Sequence, residues 1–373
     1  MTTKLLYFVS HPIQYQAPLL RQISADQGID IEVIFESDFS SDNYFDRGFG
    51  VDVKWDIPLR EGYKSQLLNE IDINQRFKNA EVIWFHGWQS HNSKHLLKMA
   101  NRAGKPILMR GENWEGAMPD GKGMKSRLKR LYLNNIFSKC DAFLAIGSAN
   151  RQYYLDHGIS QDKIFDMPYA IDNSFFARPN EAPPQLNFRQ ELGIEALQKI
   201  VLFAGKLTAR KKPDVLLSAW KQANWYDHQR PALVFVGDGE LKQSLMSEVE
   251  QISNRRDVYF TGFRNQTELP AIYKAADVFV LSSEKEPWGL AINEAMACGT
   301  AVIASDQCGA VFDLVDDETG VVVKAGDAAD LAAALSKALE RSDEMGQAAK
   351  RRISNWDFEA DVAGLKAALE YVL

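Results

Sequence analysis

The residues best suited to chemistry lie in the stretch SSEKEPWGLAINEAMACG, residues 282–299. Glu286 and Glu294 stand eight apart, with Pro287, Trp288 and Gly289 following the first of them. The apolar run before Ser282 reads as a strand, and the segment from Leu290 to Cys298 reads as a helix. Glu286 therefore falls just outside a helix start and Glu294 just inside it. Gly289 allows the backbone to come close to a ligand. The N–H groups of Leu290, Ala291 and Ile292 precede the first intrahelical bonds and suit a phosphate. Each carboxylate can accept two hydroxyl hydrogen bonds, so the pair suits one sugar on each side of a diphosphate.

A second stretch, FAGKLTARKKPDVLL (203–217), sets Lys206, Arg210, Lys211 and Lys212 directly after Gly205, at the end of another apolar run. Pro213 then opens a helix, a position that proline suits. Cations gathered at a strand's carboxyl end make an anion site. An exposed basic turn is the plainer reading, and it weighs most for Arg210 and Lys212. A third stretch, VFVGDGELKQ, puts Gly237 and Gly239 around Asp238 at a further strand end. The glycines are expected to admit the backbone to a nucleotide, and Asp238 to form the turn.

At the front, the strand Leu5–Val9 feeds a helix through Ser10-His11-Pro12-Ile13-Gln14-Tyr15, where a nucleotide-binding α/β protein would usually carry glycines. His11 is expected to donate to a phosphate or to an acceptor, with Gln14 and Tyr15 as polar edges. His86 and Trp88 follow a second strand, and Arg110 and Glu112 a third. These four join Gln14 and Tyr15 as acceptor-side candidates. Trp84 lies mid-strand and reads as core. Trp88 and Trp114 follow strand ends, where each is either core or a stacking surface for a sugar.

These side chains need a scaffold, and the rest of the chain supplies its pattern. Strand-length apolar runs fall at 5–9, 31–35, 82–85, 107–109 and 142–146, then at 200–204, 233–236, 258–261, 278–281, 301–304 and 321–323. Helical segments such as His91–Arg102 and Met124–Phe137 lie between them. This alternation predicts parallel sheets with helices on both faces. It breaks once, at 172–193, where Pro179, Pro183 and Pro184 sit among polar residues. The expected organisation is a first domain at 1–175, a linker at 176–194, a second domain at 195–355 and a final helix at 356–373. Length agrees, since 373 residues make about two domains. A formal charge of −7 argues against a general nucleic-acid binder. Cys140, Cys298 and Cys308 form no Cys-x-x-Cys pair and read as small apolar residues of a reduced, cytoplasmic protein.

In the order FAGKL…KKPD, VGDGEL, YFTGF, VFVLSSEKEPWGLAINEAMACGTAVIASD and GVVV, the motifs resemble the donor-binding half of the family-4 retaining glycosyltransferases, which have the GT-B fold. The ending ISNWDFEADV is also similar to that family, whose last helix crosses back onto the first domain. The resemblance implies transfer of a sugar from a nucleotide sugar, a UDP- or GDP-sugar, as co-substrate with no other cofactor. The acceptor would be a glycan, a lipid-linked glycan or a small molecule, in cell-surface polysaccharide or glycoconjugate synthesis. Glu294 would bind the ribose and Glu286 the donor sugar, while Lys206 and Lys211 would face the diphosphate. With His11, the last three make the catalytic set. Gly205, Arg210, Gly237, Gly239, Phe263, Pro287, Trp288, Gly289, Leu290 and Ala291 would complete the donor site. The chain departs from the family in having Lys206 where arginine is usual, which loses the bidentate fork. It also has PILMRGENW, without a histidine, where many members place one near the donor sugar.

No metal is expected, because Asp-x-Asp does not occur and the cations already offset phosphate charge. His91 and His95 have helical i, i+4 spacing, but no further ligand is assigned to them. Residues 121–140, GKGMKSRLKRLYLNNIFSKC, carry Lys122, Lys125, Arg127, Lys129, Arg130 and Lys139 and no acid. They read either as an ordinary helix with a solvated basic face or as an interfacial helix against anionic lipid at the inner face of the membrane. A GT-B epimerase or hydrolase, and a catalytically silent sugar-nucleotide binder, are the alternatives.

Overall fold

The computed structural model describes residues 2–118, 123–178, 188–225 and 230–373. The three prolines of the expected linker and Lys122 lie outside the described residues. The chain divides into two units. One comprises Met1–Tyr44, Ile57–Asp172 and Asp357–Leu373, and the other Phe45–Asp56 and Asn173–Trp356.

The first unit is built on β1 (Thr3–Val9), β2 (Ile29–Phe35), β5 (Lys64–Leu67), β6 (Val82–His86), β7 (Ile107–Arg110), β8 (Ala142–Ala145) and β9 (Ile164–Asp166). They form a parallel seven-stranded sheet in the order β5-β2-β1-β6-β7-β8-β9. The two edge strands were not visible as apolar runs. β5 reads Lys-Ser-Gln-Leu and β9 only Ile-Phe-Asp. Each pairs on one side alone, so neither needs the apolar run that burial on both faces demands. β3 (Tyr44–Asp46) and β4 (Val51–Val53) make a separate two-stranded sheet that carries the chain into the second unit. The last helix, Phe358–Val372, packs against β8 and β9 of the first unit.

The second unit holds β10 (Ile200–Ala204), β11 (Ala232–Val236), β12 (Val258–Gly262), β13 (Val278–Leu281), β14 (Ala301–Ser305) and β15 (Gly320–Val323). All are parallel, in the order β12-β11-β10-β13-β14-β15. β10, β11, β13 and β14 are buried along their whole length. This is why they stand out as unbroken apolar runs. Their ends differ from the sequence reading by at most one residue.

Candidate functional site

From β10 the chain moves outward to β11 and β12, then returns to β13 on the other side of β10. Loops leaving two neighbouring strands in opposite directions open a crevice beyond their carboxyl ends, the usual ligand position in such sheets. The loop after β10 carries Gly205 and the four cations. The loop after β13 carries Glu286 to Gly289. The topology therefore brings together two motifs that lie about eighty residues apart in the chain.

Glu286 is buried, and its Oε2 accepts from Arg210 at 3.2 Å, from the Ser283 hydroxyl at 3.2 Å and from Lys211 Nζ. Lys211 is itself well covered, whereas Arg210 stays half in water. Lys212 does not join them. It takes a left-handed backbone (φ 53°) and pairs with Glu284 at 3.4 Å. The Ser282 hydroxyl holds that strained turn by donating to the Lys212 carbonyl at 2.8 Å. Lys206 turns to Asp46, with Nζ 2.8 and 3.0 Å from the two carboxylate oxygens.

Gly289 caps the helix Leu290–Ala297 in the left-handed region (φ 104°), and a Cβ there would lie 2.8 Å from Leu281. Glu294, one turn in, accepts from the Tyr273 hydroxyl at 2.8 Å. Burial pushes its carboxyl up to about 7, against the pull of Tyr273, Gln266 and Lys211. Leu290 and Ala291 are partly exposed at the helix start. The Ile292 N–H is used internally, donating to Gly289 O at 2.8 Å, so it is not the open donor the sequence suggested.

Two further expectations change. Trp288 is only 2% exposed, stacks on Trp356 at 5.5 Å and donates from Nε1 to Asn293 at 2.9 Å. Its ring supports the loop from within instead of presenting a donor surface. The glycines after β11 make room for another loop. A Cβ on Gly237 would fall 1.9 Å from Gly205 O, and one on Gly239 2.6 Å from Leu207 O. Pro287 is partly exposed, and Phe263 follows β12, where Phe49 and Trp55 meet it edge-on at 5.0 and 6.0 Å.

The first unit has its own reversal of strand order, between β1 and β6. His11, Gln14 and Tyr15 leave β1, while His86 ends β6. The His11 ring lies 4.6 Å from Phe39 and its Nδ1 is 2.9 Å from Ser10 Oγ; burial lowers its affinity for a proton. Glu112 meets three of the candidates or their neighbours. It lies 3.2 Å from His86 Nε2, accepts from the Tyr169 hydroxyl, and Tyr169 packs edge-on against Tyr15 at 5.6 Å. Burial would raise the Glu112 carboxyl, but His86, Tyr169 and Arg110 together hold it below the ordinary range.

Arg110 and Trp88 are corrected. Arg110 is 1% exposed, donates to Asp361 at 2.9 Å and to the carbonyls of Met167 and Pro168, and so ties the last helix to the sheet. Trp88 packs edge-on against Phe137 and, like Trp114, is buried, so both belong to the core. Neither was distinguishable in sequence, since a polar or aromatic residue after a strand can turn inward or outward. Among the described residues, no group of three or more His, Cys, Asp or Glu could hold a metal ion, and no helix is long and apolar enough to cross a membrane.

A profile of the family Glycosyl transferases group 1 matches residues 184–355. This half of the chain is similar to the group 1 glycosyl transferases. Among curated relatives, an uncharacterized glycosyltransferase of Methanocaldococcus jannaschii is 27% identical over 242 residues, 64% of this chain and 60% of the relative. The D-inositol 3-phosphate glycosyltransferase of Segniliparus rotundus is 29% identical over 60% of this chain and 49% of its own length. The chain thus spans about half the length of the curated relatives it matches. Among solved structures, HepE of Anabaena bound to UDP and glucose gives a TM-score of 0.72 at 18% identity over 99% of each chain. A glycosyltransferase of Rickettsia africae gives 0.75 at 17% identity, over 99% of this chain and 98% of its own. The fold of the chain is GT-B.

Proposed function

We propose that the chain is a retaining glycosyltransferase that moves a sugar from a UDP- or GDP-sugar to a glycan, lipid-linked or small-molecule acceptor, without a metal. The observation that carries this reading is the crevice between β10 and β13. There Lys211 and Arg210 converge on Glu286 beside the start of the helix that bears Glu294. Negative charge grows on the diphosphate as the glycosidic bond breaks. Lys211, Lys206 and the helix start would stabilise it, with the cations doing what a metal would otherwise do. Glu294 would take the ribose hydroxyls and Glu286 those of the donor sugar. HepE binds UDP and UDP-glucose on the same fold, which favours a nucleotide sugar here. His11, or the His86–Glu112 pair, would face the acceptor. The test is a panel of nucleotide sugars screened for thermal stabilisation, followed by product analysis with acceptor. The reading fails if no nucleotide sugar raises the melting temperature, or if Glu294→Ala leaves donor binding intact.

A specific observation favours a membrane-linked acceptor. In the helix Met124–Phe137, Leu133, Ile136 and Phe137 face the core, while Met124, Leu128 and Leu131 are 79, 61 and 67% exposed. The exposed apolar residues fall on the opposite stripe at i, i+4 and i+7, and Lys125, Arg127, Lys129 and Arg130 lie on the same helix. A cavity of about 170 Å³ beside it is rimmed by Lys94, Lys98 and Lys139. The helix would lie on an anionic leaflet and hold the enzyme where a lipid-linked acceptor sits. Charge reversal at Lys125, Arg127, Lys129 and Arg130 is expected to abolish sedimentation with phosphatidylglycerol vesicles; failure of the native protein to sediment would remove the membrane role.

A further inference from the structure

Residues 45–56 lie in sequence within the first unit but belong to the second. Their place there is fastened at the far end. The Asn265 amide donates to the Lys54 carbonyl at 2.7 Å, and the Thr267 N–H donates to the Asp56 carboxylate at 3.2 Å. Phe49 and Trp55 both close on Phe263. Ahead of these anchors the segment is shaped around one cation. Asp46 brackets Lys206 Nζ with both oxygens, Phe49 presents its ring 4.9 Å from the same nitrogen, and a side chain on Gly48 would collide with the Lys206 stem at 2.6 Å. The Asp46 carboxylate is only 12% exposed, and its Oδ1 also accepts the N–H groups of Gly48 and Phe49 at 2.8 and 3.0 Å.

We propose that Asp46 is a built-in competitor for the donor diphosphate: a carboxylate that holds Lys206 until the incoming phosphate takes it and reclaims Lys206 as the nucleoside diphosphate leaves. The physical argument is that one ammonium cannot satisfy two anions equally. The hydrogen bonds that Lys206 gives to one of them are lost to the other. Ligand affinity is therefore set by an exchange of partners, not by a new ion pair. Asp46 is a positioning residue, acting through Lys206. The proposal rests on the donor reading given above.

Isothermal titration of UDP and GDP, with uridine and guanosine as phosphate-free controls, tests it on the full chain. Asp46→Asn keeps an oxygen for the Gly48 and Phe49 N–H groups and removes only the charge. It should tighten nucleoside diphosphate binding about tenfold, the size of one charge-assisted hydrogen bond, and leave nucleoside binding unchanged. In Lys206→Ala the same substitution should change nothing, and in steady state Asp46→Asn should lower KM and kcat together as product release slows. Asp46→Ala, checked by melting temperature, serves as the second variant. Unchanged or weaker diphosphate binding in both variants overturns the proposal. So does tightening that persists in Lys206→Ala. If native and variant proteins alike bind neither diphosphate, the donor reading itself fails and takes this proposal with it.

Discussion

Each unit has a parallel sheet that reverses its strand order once, at β1/β6 in the first and at β10/β13 in the second. The two reversal points are topologically alike and chemically opposite. At β10/β13 the charged side chains pair with one another around the crevice: Lys211 and Arg210 with Glu286, Lys206 with Asp46. Beside β1/β6 the cationic candidate Arg110, at the end of β7, is spent on a fully buried partner, and the large aromatics Trp88 and Trp84 fill the core. What remains open to function there is a small group, His11 on one loop and His86 with Glu112 on the others. Equal topology thus supplies two crevices, and side-chain burial decides which one is lined with charge.

Breaking the Arg110–Asp361 pair should give the largest effect. Arg110→Ala leaves a carboxylate buried without its partner and is expected to destabilise the protein by about 3–5 kcal/mol. Urea unfolding reads it, and an apolar pair at both positions should recover much of the loss. If Arg110→Ala instead left stability intact and lowered turnover, the contrast between the two crevices would be wrong. Lys211→Ala should do the reverse. Loss of one charge-assisted contact, roughly 1.5–3 kcal/mol, should weaken UDP or GDP binding by one to two decades while the melting temperature moves little. Gly237→Ala brings a methyl into Gly205 O at a positive φ, and is expected to cost about 1–3 kcal/mol and to disorder the loop that carries Lys206. A melting curve and diphosphate titration on one sample would show both losses together.

The smallest effect concerns Glu294, whose carboxyl burial pushes up to about 7. Below that pH it carries a proton, and above it the carboxylate accepts ribose hydroxyls more strongly. Affinity for UDP should therefore rise by up to about tenfold from pH 6 to pH 8. The part due to this residue should vanish in Glu294→Gln, measured by titration at each pH. For stability the sign is opposite: a raised folded value makes the folded state lose stability as pH climbs from the usual carboxylate range towards 7.

The second sheet was legible because its central strands are apolar on both faces and its loops carry glycine and charge at their ends. The polar edge strands β5 and β9 were not legible, for lack of that demand. Within the site, the sequence pointed to Glu286, Lys211 and Gly289 through their spacing around a helix start. It was silent on Asp46, Phe49 and Trp55, because nothing in residues 45–56 announces that they belong to a different unit from their neighbours. A hint was available in retrospect: the stretch 38–56 is rich in aromatic and acidic residues and breaks the strand–helix alternation.

By itself, the order of residues determined two parallel α/β units, and the cations and glutamates placed at the strand ends of the second. Only the tertiary structure decided which cation faces which acid, which aromatics turn inward, and that a segment from the first half of the chain supplies Lys206 with its carboxylate. The reason is physical. Periodicity and turn chemistry act over a few residues and are written locally. The direction of a side chain after a strand, and the partner of a charge, depend on packing between segments up to hundreds of residues apart.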